Sequence, residues 1–389
     1  MIHLTKKIIY FFLCTLIFLS CSKESSEDTP QSTGPLDNLD NITTNEMTWE
    51  NDMDFRKDLL KNLVDNIILP SYNDFSNKLS LMNNSLIDFS NNVTQDNLDQ
   101  LRSDWLKCYK SWQHIEMYDI AKAEEIYYRL RMNAYPCNST IINQNINNEV
   151  TDISTSNYSN YTSQGFPALD YMLYGLDQDS TIILDFYTDP INGFKYINYL
   201  TVIINNMVLN TEMVISDWQI NRSSFINSTT NTATSSLNML TNDFIFYYEK
   251  GFRANKIGIP AGVFSPAALP FNVEAYHKKN ISKTLALEAL SAIEKFFKGQ
   301  SYDLSTDGLG LDTYVNFLDN DLDDLILSKF NNANNKILLL NDNFVTQINQ
   351  DKLQMLICYD AIQEAVVLLK TDMLQNLNIN VDYIDADGD

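Results

Sequence analysis

Apolar side chains recur at helical spacing along most of this 389-residue chain, and this periodicity constrains its fold more than any other feature. Phe55, Leu59, Leu63 and Ile67 are four residues apart, as on one face of an α-helix. The alternation typical of β-strands is nearly absent, and only 11 Gly and 9 Pro are available for tight turns. The pattern predicts an all-α protein whose helices bury apolar stripes against one another.

The helical segments fall into two groups, which divide the chain into predicted regions. We expect an N-terminal helical bundle over residues 47–190 and a C-terminal helical bundle over residues 191–389. Residues 21–46 are rich in Ser, Thr, Asp, Asn and Pro, and predict a disordered tether. Residues 137–164, rich in Asn, Ser and Thr, and residues 251–270, rich in Gly and Pro, predict irregular connections.

Residues 1–20 predict a signal peptide rather than a part of the fold. Lys6 and Lys7 precede an apolar run of about 12 residues, which is too short to span a bilayer comfortably as a helix. The following Leu-Ser-Cys sequence resembles the lipobox of bacterial lipoproteins, in which cleavage occurs before the cysteine and the cysteine carries lipid. We therefore expect lipidation of Cys21 and anchoring in the cell envelope, at the outer membrane, with a periplasmic or a surface-exposed body.

Charge and motif content exclude several classes of function. The formal net charge is −23, and a protein this acidic repels a phosphate backbone, so we expect no nucleic-acid partner. The three histidines, His3, His114 and His277, form no His-Glu-x-x-His motif, and His277 has no His or Cys near it in the sequence. We expect a surface or capping role for His277. The motifs of serine hydrolases, kinases and dehydrogenases are also missing.

Cysteine content allows little covalent cross-linking in the mature chain. Beyond Cys21, only Cys108, Cys137 and Cys358 remain, and they are widely spaced. One disulfide is possible in an oxidising envelope, whereas a disulfide framework is not. The sequence leaves the pairing of these three thiols open.

The most distinctive stretch is residues 164–175, Gln-Gly-Phe-Pro-Ala-Leu-Asp-Tyr-Met-Leu-Tyr-Gly. Pro167 stands where a helix can begin, because a missing N–H is not needed in the first turn. Asp170 would then lie near the first turn, where the helix dipole favours a carboxylate. On these residues alone, stabilisation of a helix start is the simplest interpretation, and ligand binding is the alternative.

This stretch resembles the signature of the imelysin-like family of bacterial envelope proteins, Gly-x-His-x-x-Glu followed by an aromatic and apolar run. The matching positions are Gly165, Pro167 and Asp170, so proline stands in place of the histidine and aspartate in place of the glutamate. Further stretches resemble the family in the same order, at residues 105–116, 135–136 and 256–262. The acidic chain end, residues 385–389, resembles the chain ends of Bacteroidota members.

The resemblance implies two helical-bundle halves related by internal duplication, with the signature at a cleft between them. It also implies a link to iron uptake, and the family carries a peptidase label from its founding member. Because proline cannot ligate a metal, Pro167 removes one of the two expected ligands and leaves metal-dependent hydrolysis unsupported. We therefore expect a binding protein that takes up iron or an iron-containing ligand. The alternatives are a surface protein that partners an outer-membrane receptor or transporter, with a purely structural motif, and a metallopeptidase.

Three charged residues upstream of the signature are candidates to complete a ligand site with it. Glu116 and Asp170 offer oxygen ligands that suit Fe(III), Ca²⁺ or Mg²⁺, and are the candidate metal ligands. Arg129 and Arg131 could hold an anionic group such as a carboxylate. A structural ion pair is the alternative for each arginine.

Overall fold

Most segments with helical periodicity form helices in the computed structural model, which describes residues 49–381. Within that range the protein is all-α, and the only extended pairing is an isolated bridge between Gln300 and Asp307. The predicted signal peptide, Cys21 and the tether lie outside the described residues, as does the acidic end at residues 385–389. Nor does any helix between residues 49 and 381 have the length and apolar character needed to cross a membrane.

Nine α-helices precede residue 190 in the described part of the chain: α1 (Trp49–Asn62), α2 (Leu69–Asn91), α3 (Gln95–Trp112), α4 (Lys122–Glu125), α5 (Tyr128–Asn133), α6 (Ser139–Asn147), α7 (Tyr158–Tyr161), α8 (Gly165–Tyr174) and α9 (Ile183–Thr188). A π-helical segment, Leu63–Ile68, joins α1 to α2. Thr94 caps the N-terminus of α3, because its side chain accepts the N–H of Asn97.

Eight α-helices follow up to residue 381: α10 (Gly193–Ile226), α11 (Ser236–Phe246), α12 (Ile259–Ala261), α13 (Ser282–Phe297), α14 (Leu311–Leu318), α15 (Leu322–Leu338), α16 (Phe344–Val367) and α17 (Leu374–Asn376). Two π-helical segments, Tyr247–Gly258 and Leu368–Met373, continue α11 into α12 and α16 into α17.

Both stretches that were expected to be irregular contain helix. Residues 137–164 hold α6 and α7, whose N-caps Asn138 and Asn157 each accept a backbone N–H from the first turn. Residues 251–258 continue a buried π-helical segment, because the apolar and ionic contacts of that segment override the weak helix propensity of glycine.

Contacts between distant segments hold the helices together. Helix α10 packs along α2, and α13 packs on α3. In α1, the Phe55 ring lies 5.1 Å from the Tyr314 ring of α14, measured between centroids. The described residues all belong to one compact unit. The boundary between two bundles near residue 190 therefore stays a prediction.

The signature helix α8 is anchored on the aromatic face of α3. The Phe166 ring is stacked on the Tyr109 ring at a centroid separation of 4.3 Å and an interplanar angle of 2°. Trp105 and Trp112, on the same face of α3, are fully buried. This packing places the residues that follow Phe166 beside the segment of residues 270–281.

Candidate functional site

Helix α8 begins at a glycine that the backbone geometry requires. Gly165 has a φ of +70°, in the left-handed region that side chains other than glycine rarely adopt. A Cβ atom at this position would lie 2.2 Å from the carbonyl oxygen of Met132. The start of the signature is therefore pressed against the end of α5, and Gly165 lines neither cleft described below.

Asp170 lies beyond the first turn of α8, which begins at Gly165, and its contacts join α8 to a distant segment. One carboxylate oxygen accepts the backbone N–H of His277 and the other accepts that of Lys278, each at 2.7 Å. The side chain is buried, and burial raises the pKa of Asp170 to about 7, although the two N–H donors oppose that rise.

A cleft of about 380 Å³, called here the first cleft, lies beside α8 and is lined by Pro167 and Asp170. Its other wall carries Phe271, Tyr276 and His277, from the segment that Asp170 holds in place. The walls therefore combine residues of the predicted N-terminal region with residues of the predicted C-terminal region.

His277, for which a surface or capping role was expected, is partly exposed and lines the first cleft. Its ring is packed between the rings of Tyr171 and Tyr276, at centroid separations of 5.2 and 5.1 Å. Burial lowers the pKa of His277 to about 4, with a smaller contribution from Lys279, so the imidazole is neutral at neutral pH. Neither ring nitrogen hydrogen-bonds to another residue in the range 49–381.

A second cleft of about 250 Å³ adjoins the first and is lined by Glu116 and Arg129. The two clefts share Tyr135, Pro136 and Tyr158. Glu116 and Asp170, the two predicted metal ligands, therefore line two neighbouring clefts, and neither cleft is lined by both residues.

Glu116 belongs to a buried ionic network behind the second cleft. It accepts hydrogen bonds from Asn133 at 2.7 Å and Tyr247 at 2.9 Å. The Lys256 ammonium lies 3.4 Å from Glu116 and 2.7 Å from Glu274. Burial alone would raise the pKa of Glu116, but Lys256 and the two donors outweigh burial and lower it. Glu116 is therefore held as a carboxylate by a fixed cation.

The two predicted arginines make different contacts. Arg129 lines the second cleft and is paired with Asp119 at 2.7 Å and Asp243 at 3.4 Å. Arg131 lines neither cleft, because its guanidinium donates to the Ile126 carbonyl and the Ser156 hydroxyl. An anion-binding role for either arginine stays a prediction.

The signature residues Pro167 and Asp170 offer no free ligand atom for a metal ion. Pro167 has no atom that can ligate a metal, and both oxygens of Asp170 already accept backbone N–H groups. Between residues 49 and 381, no group of three or more His, Cys, Asp or Glu side chains is arranged to hold a metal ion. Cys137 lines the first cleft, but burial raises the pKa of its thiol to about 12. Cys108, Cys137 and Cys358 are all free thiols.

Sequence reasoning missed the residues that complete these clefts. Lys256 lies in the stretch at residues 256–262 that resembles the family, so a signal for it existed. Glu274 and His277 stand in an unremarkable segment, and only the fold brings them to Glu116 and Asp170.

Titration of Asp170 should make stability depend on pH. Because the pKa in the folded protein is raised to about 7 from 3.8, folding favours the protonated form. The resulting stabilisation is complete below pH 3.8 and is lost as the pH rises through 7. We expect the stability of the wild type relative to Asp170→Asn to fall by up to roughly 4 kcal/mol across that window. Urea unfolding of both proteins between pH 4 and pH 8 measures this, and parallel pH profiles would contradict it.

Comparisons with known proteins agree on one family. The family model described as Imelysin (Peptidase_M75) matches residues 68–371. The crystal structure of an imelysin-like protein from Psychrobacter arcticum 273-4 has a TM-score of 0.68 at 17% identity, covering 88% of this chain and 100% of that one. The crystal structure of a putative iron-regulated protein A precursor from Parabacteroides distasonis ATCC 8503 has a TM-score of 0.63 at 14% identity, covering 84% and 95%.

No curated protein matches the chain significantly. At identities of 17% and 14%, the two crystal structures show the fold alone. The family model, in contrast, spans most of the described residues and includes α8. The chain belongs to the imelysin family.

Proposed function

We propose that this protein is a lipid-anchored binding protein of the cell envelope that takes part in the uptake of iron or an iron-containing ligand. The observation that carries the proposal is the first cleft. It lies at the family signature, has a volume of about 380 Å³, and draws its walls from residues 135–170 and 271–277. Concave sites of this size with a few convergent polar groups are typical of small-ligand binding.

Two further observations support an envelope role in iron acquisition. A structural neighbour is named as an iron-regulated protein, and we extend that association to this chain as part of the proposal. The lipobox-like sequence ending at Cys21 would anchor the protein in the outer membrane. An outer-membrane receptor or transporter is then the natural partner for ligand transfer.

A metallopeptidase is a weaker candidate because the charged groups near the signature are already engaged. Asp170 accepts two backbone N–H groups, and Glu116 is bound by Lys256, Asn133 and Tyr247. A general base needs a carboxylate that is free to take a proton from water. We therefore assign no catalytic residue.

Calorimetry on the unlipidated mature chain, residues 22–389, tests the binding function with Fe(III)-citrate, ferric protoporphyrin, Ca²⁺ and Zn²⁺. We compare the wild type with Ser139→Trp, which places an indole in the first cleft from its half-buried wall. The matched control is Ser328→Trp on the exposed face of α15.

Saturable binding of an iron species by the wild type and by Ser328→Trp is expected, with at least a tenfold loss in Ser139→Trp, or about 1.4 kcal/mol. Absence of saturable iron binding in the wild type would overturn the uptake role. It would favour the alternative of a surface interaction protein whose signature is structural.

A further inference from the structure

His277 supplies the one imidazole among the residues that line the first cleft. His277 reaches the same cleft as Pro167 from another segment of the chain. Its ring is held by Tyr171 and Tyr276, and neither of its nitrogens has a hydrogen-bond partner among residues 49–381. An imidazole nitrogen that has no protein partner can donate its lone pair to iron.

Exposed aromatic side chains surround the same cleft. Tyr158, Phe271 and Tyr276 all line it, and they are 76%, 52% and 38% exposed. Large aromatic side chains that cluster at one exposed concave site indicate an interaction surface. Their faces suit a flat ring, which can stack on an aromatic side chain or meet its edge.

Positive charge adjoins this aromatic rim in an otherwise acidic protein. Lys278 and Lys279 follow His277 directly, and Lys279 is exposed and forms no ion pair with another described residue. Lys278 lies with its ammonium 5.0 Å from the centre of the Tyr174 ring. Neither lysine lines the first cleft, but both directly follow His277, which does, so two cations stand in the chain next to the imidazole and could meet the carboxylates of a ligand that extends beyond the cleft.

From these three features we propose that the first cleft binds an iron porphyrin, a flat anionic ring whose iron is ligated by the imidazole of His277. The imidazole nitrogen donates its lone pair to the ferric iron and displaces a bound water, so no electron transfer is involved. Tyr158, Phe271 and Tyr276 contact the ring, and Lys278 and Lys279 contact its carboxylates. This inference rests on the proposed function and names its ligand class.

Absorption titration of the mature chain with ferric protoporphyrin tests the proposal, because ligation by histidine shifts and sharpens the Soret band. Metal-free protoporphyrin and Fe(III)-citrate serve as the other two probes. We expect ferric protoporphyrin to bind saturably with a histidine-type spectrum, and metal-free protoporphyrin to bind more weakly, because it lacks the iron–imidazole bond.

Variants separate ligation from stacking. His277→Gln should lose the histidine-type spectrum and bind ferric protoporphyrin at least about tenfold more weakly. The matched control is His114→Gln, since His114 lies outside both clefts beside Glu288. Tyr158→Ala should weaken binding roughly three- to tenfold, while Tyr127→Ala, at another exposed tyrosine outside both clefts, should not.

A rescue experiment covers the case in which His277→Gln disturbs the fold. In His277→Gly, added imidazole should restore the spectrum, which a purely structural role of the side chain would not allow. A wild-type spectrum in His277→Gln, or a tyrosinate-type spectrum in the wild type, would overturn the proposal. Fe(III)-citrate binding that is blocked by Ser139→Trp, without porphyrin binding, would overturn this inference alone. Absence of binding by any iron species would overturn the proposed function as well.

Discussion

Replacing Lys256 with methionine is expected to lower the free energy of unfolding by about 3–5 kcal/mol. The Lys256 ammonium lies 2.7 Å from the Glu274 carboxylate and 3.4 Å from the Glu116 carboxylate, and all three side chains are buried. Methionine fills a similar volume but has no charge. The two carboxylates would then face each other without a cation, and unpaired buried charges are strongly destabilising.

Lys329→Met is the matched control for this loss. Lys329 forms an ion pair with Glu364 at 2.8 Å, and both side chains are substantially exposed. Solvent screens such a pair, so its removal should reduce stability by less than about 1 kcal/mol. Urea unfolding of both variants measures the difference. The double variant Lys256→Met with Glu274→Gln should regain part of the lost stability, because one of the two stranded carboxylates is then neutral.

Equal losses in Lys256→Met and Lys329→Met would show that the buried network contributes no more than a surface pair. In that event Lys256 would not be the cation that holds Glu116 as a carboxylate beside the second cleft.

Replacing Gly165 with alanine is expected to reduce stability by about 3 kcal/mol. The added methyl group would lie 2.2 Å from the Met132 carbonyl oxygen, and the φ of +70° is unfavourable for alanine. The obstacle is backbone, which cannot rotate away as a side chain can. Relief requires α8 to shift from α5, and such a shift would move Pro167 and Asp170. Ligand binding in the first cleft should therefore fall together with the thermal midpoint of unfolding.

Gly308→Ala provides a comparison in which the obstacle is a side chain. There a Cβ atom would meet the amide group of Asn62, which could move away at the cost of its hydrogen bonds to the Gly299 and Leu309 carbonyls, and the φ of Gly308 is outside the left-handed region. We expect a smaller loss of stability than in Gly165→Ala. Comparable losses in both variants would show that α8 adapts easily and that Gly165 is not required.

The helical architecture could be predicted because the spacing of apolar residues within each helix indicates which of its faces is buried. The spacing of Phe55, Leu59 and Leu63 follows from the 3.6-residue turn, and no distant residue is needed to recognise it. Helices α6 and α7 escaped prediction because they are short and rich in Asn, which favours caps and turns over helix interiors. In both, an Asn side chain caps the N-terminus, so the residue type that obscured the helix also begins it.

The clefts could not be predicted from the sequence, because their chemistry depends on residues far apart in the chain. Sequence by itself determined the helical class and membership of the imelysin family. Only the tertiary structure decided that Asp170 binds the backbone of His277, 107 residues away, and that Lys256 neutralises Glu116, 140 residues away. Periodicity along one helix determines which face is buried. It carries no information on which distant polar group meets that face, since the packing of many helices together selects that partner.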